Sequence, residues 1–336
     1  MLRDITVSFG PHISKGLSTR RIMIDVIIGL VPAMIAAGYF YRQYALILLA
    51  TCVISSVATE WLCNLIRKKP NSLDDFSAVV TGIILAFSLP PGFPFWAAMI
   101  GSVFAIAIGK MVFGGLGANI FNPAMAARAF LTASFGMMMT TWIVPASINP
   151  AMPKISAENT MDTRTQATPL AFSKEAQENK ASTEEVNKQI EDAFLGGVGG
   201  CLGETSALAL LLGGIYLLIR RTISFEIPLA VIISAFIFAS IAYLINSQEY
   251  ISPFTHLCSG GLFLGAIFIA TDPVTAPLTR KGMWLFGAGV GSITMLIRIV
   301  GEYPEGVMYS VLLMNAVTPL IDRMFKRIPA GGKPNA

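Results

Sequence analysis

Ile22-Met-Ile-Asp25-Val-Ile-Ile-Gly29-Leu-Val-Pro32-Ala-Met-Ile-Ala-Ala-Gly38-Tyr-Phe40 is an apolar run of 19 residues interrupted by a single charge. A helix of about 20 apolar residues, rising 1.5 Å per residue, is what crosses a hydrocarbon layer of roughly 30 Å. Similar runs recur near 44–66, 76–89, 94–113, 120–138, 205–219, 227–246, 256–272, 283–301 and 305–323. Of the 336 residues, 54% are hydrophobic and 13% charged, against roughly 25% charged in a soluble domain. The mean hydropathy of +0.65 agrees. The expected fold is an all-α polytopic membrane protein with ten transmembrane helices. Several runs are shorter than a straight span, so some helices are expected to be broken. The first run precedes further spans and has no small-residue cleavage site, so it reads as a retained span rather than a removed signal peptide.

Basic residues set the orientation. Arg3, Lys15, Arg20 and Arg21 precede the first run, and Arg67-Lys68-Lys69 follow the second. Lys110, Arg220-Arg221, Arg280-Lys281 and the tail with Arg323, Lys326, Arg327 and Lys333 continue the series at every second connection. The alternate short connections carry only Arg42. Positive residues stay in the cytoplasm, so both termini are expected there and Thr205 on the extracytoplasmic side. The chain divides into an N-terminal five-helix half (1–138), a long extracytoplasmic polar loop (139–200) and a C-terminal five-helix half (201–336). The loop, rich in Asn, Thr, Ser, Glu and Lys, reads as a loosely ordered insert.

The formal charge of +4 calls for no nucleic-acid partner, because the basic excess lies where anionic lipid of the bilayer would meet it. Cys52, Cys63, Cys201 and Cys258 are scattered, and His12 and His256 are the only histidines. No metal site, iron–sulfur ligand set or haem pair is expected from this chain. A faint internal likeness links Asp25-Val-Ile-Ile-Gly to Thr205-Ser-Ala-Leu-Ala. It also links Gly82, Pro90, Trp96 and Lys110 to Gly265, Pro273, Trp284 and Arg298. Five spans per half would make the two repeats inverted, with a functional site at their interface.

Charges within spans are expensive, which singles out Asp25, Glu60, Arg128, Asp272 and Arg298. Asp25, Glu60 and Asp272 are the ion-path candidates, although Asp25 and Glu60 read equally as paired or snorkelling acids. Asp272 stands in Thr271-Asp-Pro-Val-Thr-Ala-Pro277, where two prolines end a helix and free its carbonyls. It reads either as a cation ligand or as a cap. Asn119-Ile-Phe-Asn122-Pro123-Ala124 makes a similar break. Met137-Met-Met139 reads as packing.

Gly203-Glu204-Thr205-Ser206-Ala207 joins the polar loop to an apolar helix. A helix start presents unpaired N–H groups and the positive end of its dipole, which favour a phosphate on a nearby hydroxyl. Gly199, Gly200 and Gly203 are expected to leave room for a bulky group. The plainer local reading makes Thr205 an N-cap with Ser206 beside it.

Taken in order, several stretches resemble the Rnf/Nqr family, which comprises the D-type component of Rnf electron transport complexes and the B-type component of the sodium-pumping NADH:quinone reductase. They are Pro11-His12 with Ser18-Thr19 and Ile22-Met-Ile-Asp-Val26, Phe121-Asn-Pro-Ala-Met125, and Gly203-Glu-Thr-Ser206. Ala270-Thr-Asp-Pro-Val274, Tyr303-Pro-Glu-Gly-Val307 and Leu312-Leu-Met-Asn315 complete the set. The resemblance spans nearly the whole chain. It implies that Thr205 carries FMN through a phosphoester, attached by a flavin transferase outside the cytoplasm, with Gly203, Glu204 and Ser206 forming the motif around it. The family usually has a small polar residue three positions before the threonine, and Leu202 departs from that. The related reductase component also holds riboflavin without a covalent bond, which implies a second flavin here at residues the sequence does not name.

The function so implied is electron relay in an ion-translocating ferredoxin:NAD oxidoreductase, coupled to Na⁺ or H⁺. Other membrane subunits and iron–sulfur or flavin subunits would be its partners. The flavin carries the electrons and the protein positions it, so no residue receives a catalytic role of its own. Two alternatives stay open: a quinone-reducing subunit of a sodium-pumping NADH dehydrogenase, and a flavin-free secondary transporter or channel.

Overall fold

The computed structural model describes residues 18–70, 72–142, 170, 194, 199–247, 250–301, 303 and 305–326. The motif residues Pro11, His12 and Pro304 and the basic residues Arg3, Lys15, Arg327 and Lys333 lie outside the described residues. Helices lie in every apolar run named above, and no strand occurs among the described residues. Helix α1 (Thr19–Tyr41) starts at Ser18, whose hydroxyl accepts the Arg21 N–H at 3.2 Å. That bond satisfies one of the donors a helix start leaves unpaired. Arg42, at φ +49°, turns the chain directly into α2 (Gln43–Ile66). Then follow α3 (Ser77–Phe87), α4 (Phe95–Val103), α5 (Pro123–Ser134) and the short α6 (Gly136–Met139). The second half comprises α7 (Ala207–Ile219), α8 (Glu226–Ile245), α9 (Pro253–Cys258), α10 (Leu262–Leu264), α11 (Arg280–Ile299) and α12 (Val307–Met324).

Four of these, α1, α2, α8 and α11, are long and apolar enough to cross a membrane. Shorter apolar helices, α3, α4 with its extension and α7, stand among them. Large apolar side chains such as Ile35, Ile54, Leu65, Ile219 and Leu244 point outward. On a molecule in water they would be an aggregation hazard; facing lipid they are at home. The architecture is that of a multi-pass membrane protein.

Without a water-driven hydrophobic effect between helices, close packing must hold the bundle. The two halves meet where α1 crosses α7, and the chains touch there through glycine. A Cβ at Gly213 would run into the Gly29 carbonyl, so only glycine fits. Within the halves α2 packs on α3 and α4, and α8 on α11, which in turn holds α12.

Two helices change pitch. Beyond Val103, α4 continues as a π-turn over Phe104–Met111, with the Val112 N–H reaching the Ala107 carbonyl five residues back at 3.0 Å. Beyond Leu264, α10 does the same over Gly265–Ile269. Such turns widen the backbone and recur at functional sites. The helical run ends at the Thr271-Asp272-Pro273 break, as its prolines require.

The polar loop lies mostly outside the described residues, but two of its positions are packed down. Leu170 is buried with Ile251, and Phe194 rests on the main core. At these points the loop is held against the helices, where its composition suggests a loose insert.

Candidate functional site

Polar groups collect at the two opposite ends of the bundle. At one end the turn Leu202–Glu204 leads into α7. The cap of α7 is Ser206, not Thr205: the Ser206 Oγ accepts the Ala209 N–H at 3.3 Å. Thr205 is therefore free of the capping role that local chemistry gave it. Its own hydroxyl donates to the Leu202 carbonyl at 2.6 Å, and the residue is 2% exposed. The glycine expectation also needs correction. A Cβ on Gly203 would stand 2.7 Å from Leu264 Cδ2 and 2.9 Å from the Phe87 carbonyl, so this glycine exists for tight packing and not for ligand space. It lets the turn wedge between the end of α3 and α10, where the Leu202 N–H also donates to the Leu89 carbonyl at 3.1 Å.

Around this turn lie several buried charges. Glu204 Oε2 accepts the Cys201 N–H at 3.2 Å, closing the turn on itself. Burial, and then the charge of Glu305, push the Glu204 carboxyl above the usual carboxylate range, with Arg128 acting in the opposite sense. Glu305 is fully used: it takes Arg298 Nη2 at 2.8 Å, the Gly261 N–H at 2.9 Å, and the Gly306 and Val307 N–H groups at 2.9 and 3.0 Å. The last two bonds cap the start of α12. Arg298 further donates to the carbonyls of His256 at 2.6 Å and Ser259 at 3.2 Å, filling the gap between α9 and α10. Both His256 ring nitrogens, Ser259 Oγ and Arg298 Nε have no hydrogen-bond partner among the described residues. Buried polar atoms of this kind are places for ordered water. Arg128, on α5, sends Nη2 to the Cys201 sulfur at 3.6 Å.

At the other end a narrow cavity of about 70 Å³ opens between the halves. Its apolar walls include Val26, Ile84, Leu217, Ile267 and Phe268, and its polar rim Lys110, Asn119, Asn122, Thr222, Thr271 and Asp272. Both sequence breaks, 119–124 and 271–277, border it. They are tied together by Asn315 on α12, whose Oδ1 accepts the Asn122 N–H at 3.1 Å and whose amide reaches the Thr275 carbonyl at 3.5 Å. The lining is mixed as in a small-molecule site, but a volume of about 70 Å³ holds only a few waters.

The three acids expected on an ion path lie at this end, each with partners. Asp25 holds Arg220 at 3.3 Å, Tyr216 at 3.2 Å and Thr222 at 3.0 Å. Glu60, fully buried, grips Lys110 through both oxygens at 2.9 and 2.8 Å and accepts Ser72 Oγ at 2.5 Å. Lys110 also donates to Ser77 Oγ at 2.6 Å. In the sequence Lys110 marks orientation and a faint likeness to Arg298. Its burial follows from the π-turn, which swings it inward, and residue type alone gives no sign of that. Asp272 accepts the Val274 N–H and the Thr275 hydroxyl, each at 3.2 Å, and so closes its own loop. No ion pair within 4 Å involves it among the described residues.

For a phosphate-linked group at Thr205 the turn offers a hydroxyl and a helix start, and the Arg128 guanidinium touches Cys201 four residues earlier, with the acids Glu204 and Glu305 also near. Access is closed in this conformation, because the hydroxyl is buried against Leu202.

The comparisons with known proteins accord with these motifs. The NQR2, RnfD, RnfE family matches residues 6–331. A relative in Acetobacterium woodii, the D-type component of a Na⁺-translocating ferredoxin:NAD⁺ oxidoreductase complex, is 48% identical over 96% of this chain and 94% of its own length. The proton-translocating counterpart in Clostridium ljungdahlii is 40% identical over 97% and 96%. The D-type component of the ion-translocating oxidoreductase complex of Actinobacillus succinogenes is 36% identical over 96% of each chain. The chain belongs to the NQR2, RnfD, RnfE family.

Proposed function

We propose that this chain is the D-type membrane component of an ion-translocating ferredoxin:NAD⁺ oxidoreductase, with FMN esterified to Thr205. The near full-length likeness to relatives of that name carries the reading. The flavin, once bound, supplies the electron chemistry. Thr205 supplies its oxygen: the bond from Oγ1 to phosphorus forms, the phosphoanhydride bond of a flavin nucleotide donor breaks, and the hydroxyl proton leaves. For this to happen the hydroxyl must turn away from the Leu202 carbonyl, so a flavin transferase acts on an opened turn. The helix start then faces the phosphate, with Ser206 keeping α7 capped.

The ten spans, the two inverted five-helix repeats and the division at 138 and 200 belong to the same reading. It is supported by the alternation of basic connections and by the matched cations Lys110 and Arg298. Each is buried and paired to a glutamate, and each also bonds the third apolar run of its own half. On this topology both termini lie in the cytoplasm and Thr205 outside. The cavity at the Lys110 end, which borders both helix breaks, would have to widen to take a non-covalent flavin such as riboflavin. Asp272, with no cationic partner among the described residues, is the acid best suited to an ion path; Asp25 and Glu60 are each held by a cation.

Isolation of the tagged chain from its own membranes tests the reading. It should bring down iron–sulfur and flavin subunits that reduce NAD⁺ with reduced ferredoxin. A chain that purifies alone from intact membranes, with no flavin attached, would overturn it.

A further inference from the structure

Arg128 is a buried cation left without a carboxylate in contact. Lys110 holds Glu60 and Arg298 holds Glu305, whereas no ion pair within 4 Å involves Arg128 among the described residues. Its guanidinium carries five N–H donors, yet its side-chain hydrogen bonding among the described residues is one contact, at 3.6 Å, to the Cys201 thiol. It is 9% exposed. A buried, unpaired guanidinium is costly unless an anion meets it. The neighbouring acids do not meet it: Glu305 is spent on Arg298 and three backbone N–H groups, and Glu204 is turned to the Cys201 N–H. Glu204 and Glu305 act on Arg128 through space without touching it. Cys201, the group Arg128 touches, opens the same turn that ends at Thr205.

We infer that Arg128 is the counter-charge of the phosphodiester on Thr205, holding the flavin's phosphate in place. The inference rests on the reading that Thr205 carries the flavin, and supplies what that reading lacks, a cation of the chain's own. A phosphodiester bears one negative charge, which the guanidinium's own positive charge matches. Its oxygens accept the forked donors of a guanidinium, the geometry for which arginine is suited.

The test is a double-mutant comparison on the full chain, expressed with the flavin transferase and read by intact mass and thermal unfolding in detergent. Arg128→Gln should lower covalent flavin per chain by at least about tenfold, given the strength of charge-assisted hydrogen bonds. Arg128→Lys should keep most of it. In the unflavinylated Thr205→Val background, Arg128→Gln should unfold at about the same temperature as its parent or higher, because no carboxylate contact is lost with the guanidinium. Normal flavin content in Arg128→Gln overturns the inference. So does equal destabilisation with and without flavin, or failure of Arg128→Gln to fold in the Thr205→Val background, since each makes Arg128 structural. Flavin persisting in Thr205→Val alone would instead sink the attachment site, a separate failure.

Discussion

At Glu60 and Lys110 two full charges sit 2.8 Å apart, exposed by 0 and 2%. Removing both from water is expensive and their attraction only roughly offsets it, so the pair adds little net stability. Removing one partner is different, because the other remains charged in an apolar surrounding. Glu60→Gln is expected to destabilise the chain by about 3–5 kcal/mol, whereas Glu60→Leu with Lys110→Met should lose much less. Thermal unfolding in one detergent compares the two; equal losses would mean that the contact is not a coupled pair. Asp272 belongs to the other kind of acid, one held among the described residues by its own loop. Asp272→Asn keeps the shape and part of the capping, so stability should change by less than about 1 kcal/mol. If Asp272 lies on the ion path, the mutant complex should keep its flavin yet build a smaller ion gradient per electron transferred. Unchanged coupling in vesicles would leave Asp272 a loop cap and nothing more.

The broken elements set the site at the next scale. Gly203 lets the turn before α7 sit against the end of α3 and α10, with backbone on one side that cannot move aside. Gly203→Ala should therefore cost about 1–3 kcal/mol and reduce flavin attachment, because the turn that presents Thr205 is displaced. Ser206→Ala should cost about 1 kcal/mol through the lost cap, measurable by the same unfolding assay, while leaving the Thr205 hydroxyl in place. A larger loss of flavin in Ser206→Ala than in Gly203→Ala would contradict this division of roles. The helices and both proline breaks were legible because apolar length and missing N–H groups act locally. The inward swing of Lys110, the partnership of Arg298 with Glu305 and the tight fit at Gly203 were not. Each depends on which segment lies opposite, and that is fixed by packing between segments distant in the chain rather than by sequence neighbours. A related limit made Thr205 look like a cap: a one-residue shift in the helix start moved that role to Ser206.

For the molecule as a whole, the alternating basic connections predict sidedness. A cysteine at the exposed Ser247 should react with an impermeant thiol reagent from outside intact cells, and one at the exposed Asp74 should not. Labelling at Asp74→Cys with Ser247→Cys silent would invert the topology and carry Thr205 to the wrong side. The covalent flavin unites sidedness, the turn before α7 and the electron-relay role, so it is also where the account is most exposed. Intact mass of the denatured chain, co-expressed with the flavin transferase, measures it directly. The account predicts a gain of one FMN less one water in the wild-type chain and none in Thr205→Val. An unmodified wild-type chain, or the same gain in Thr205→Val, would contradict it.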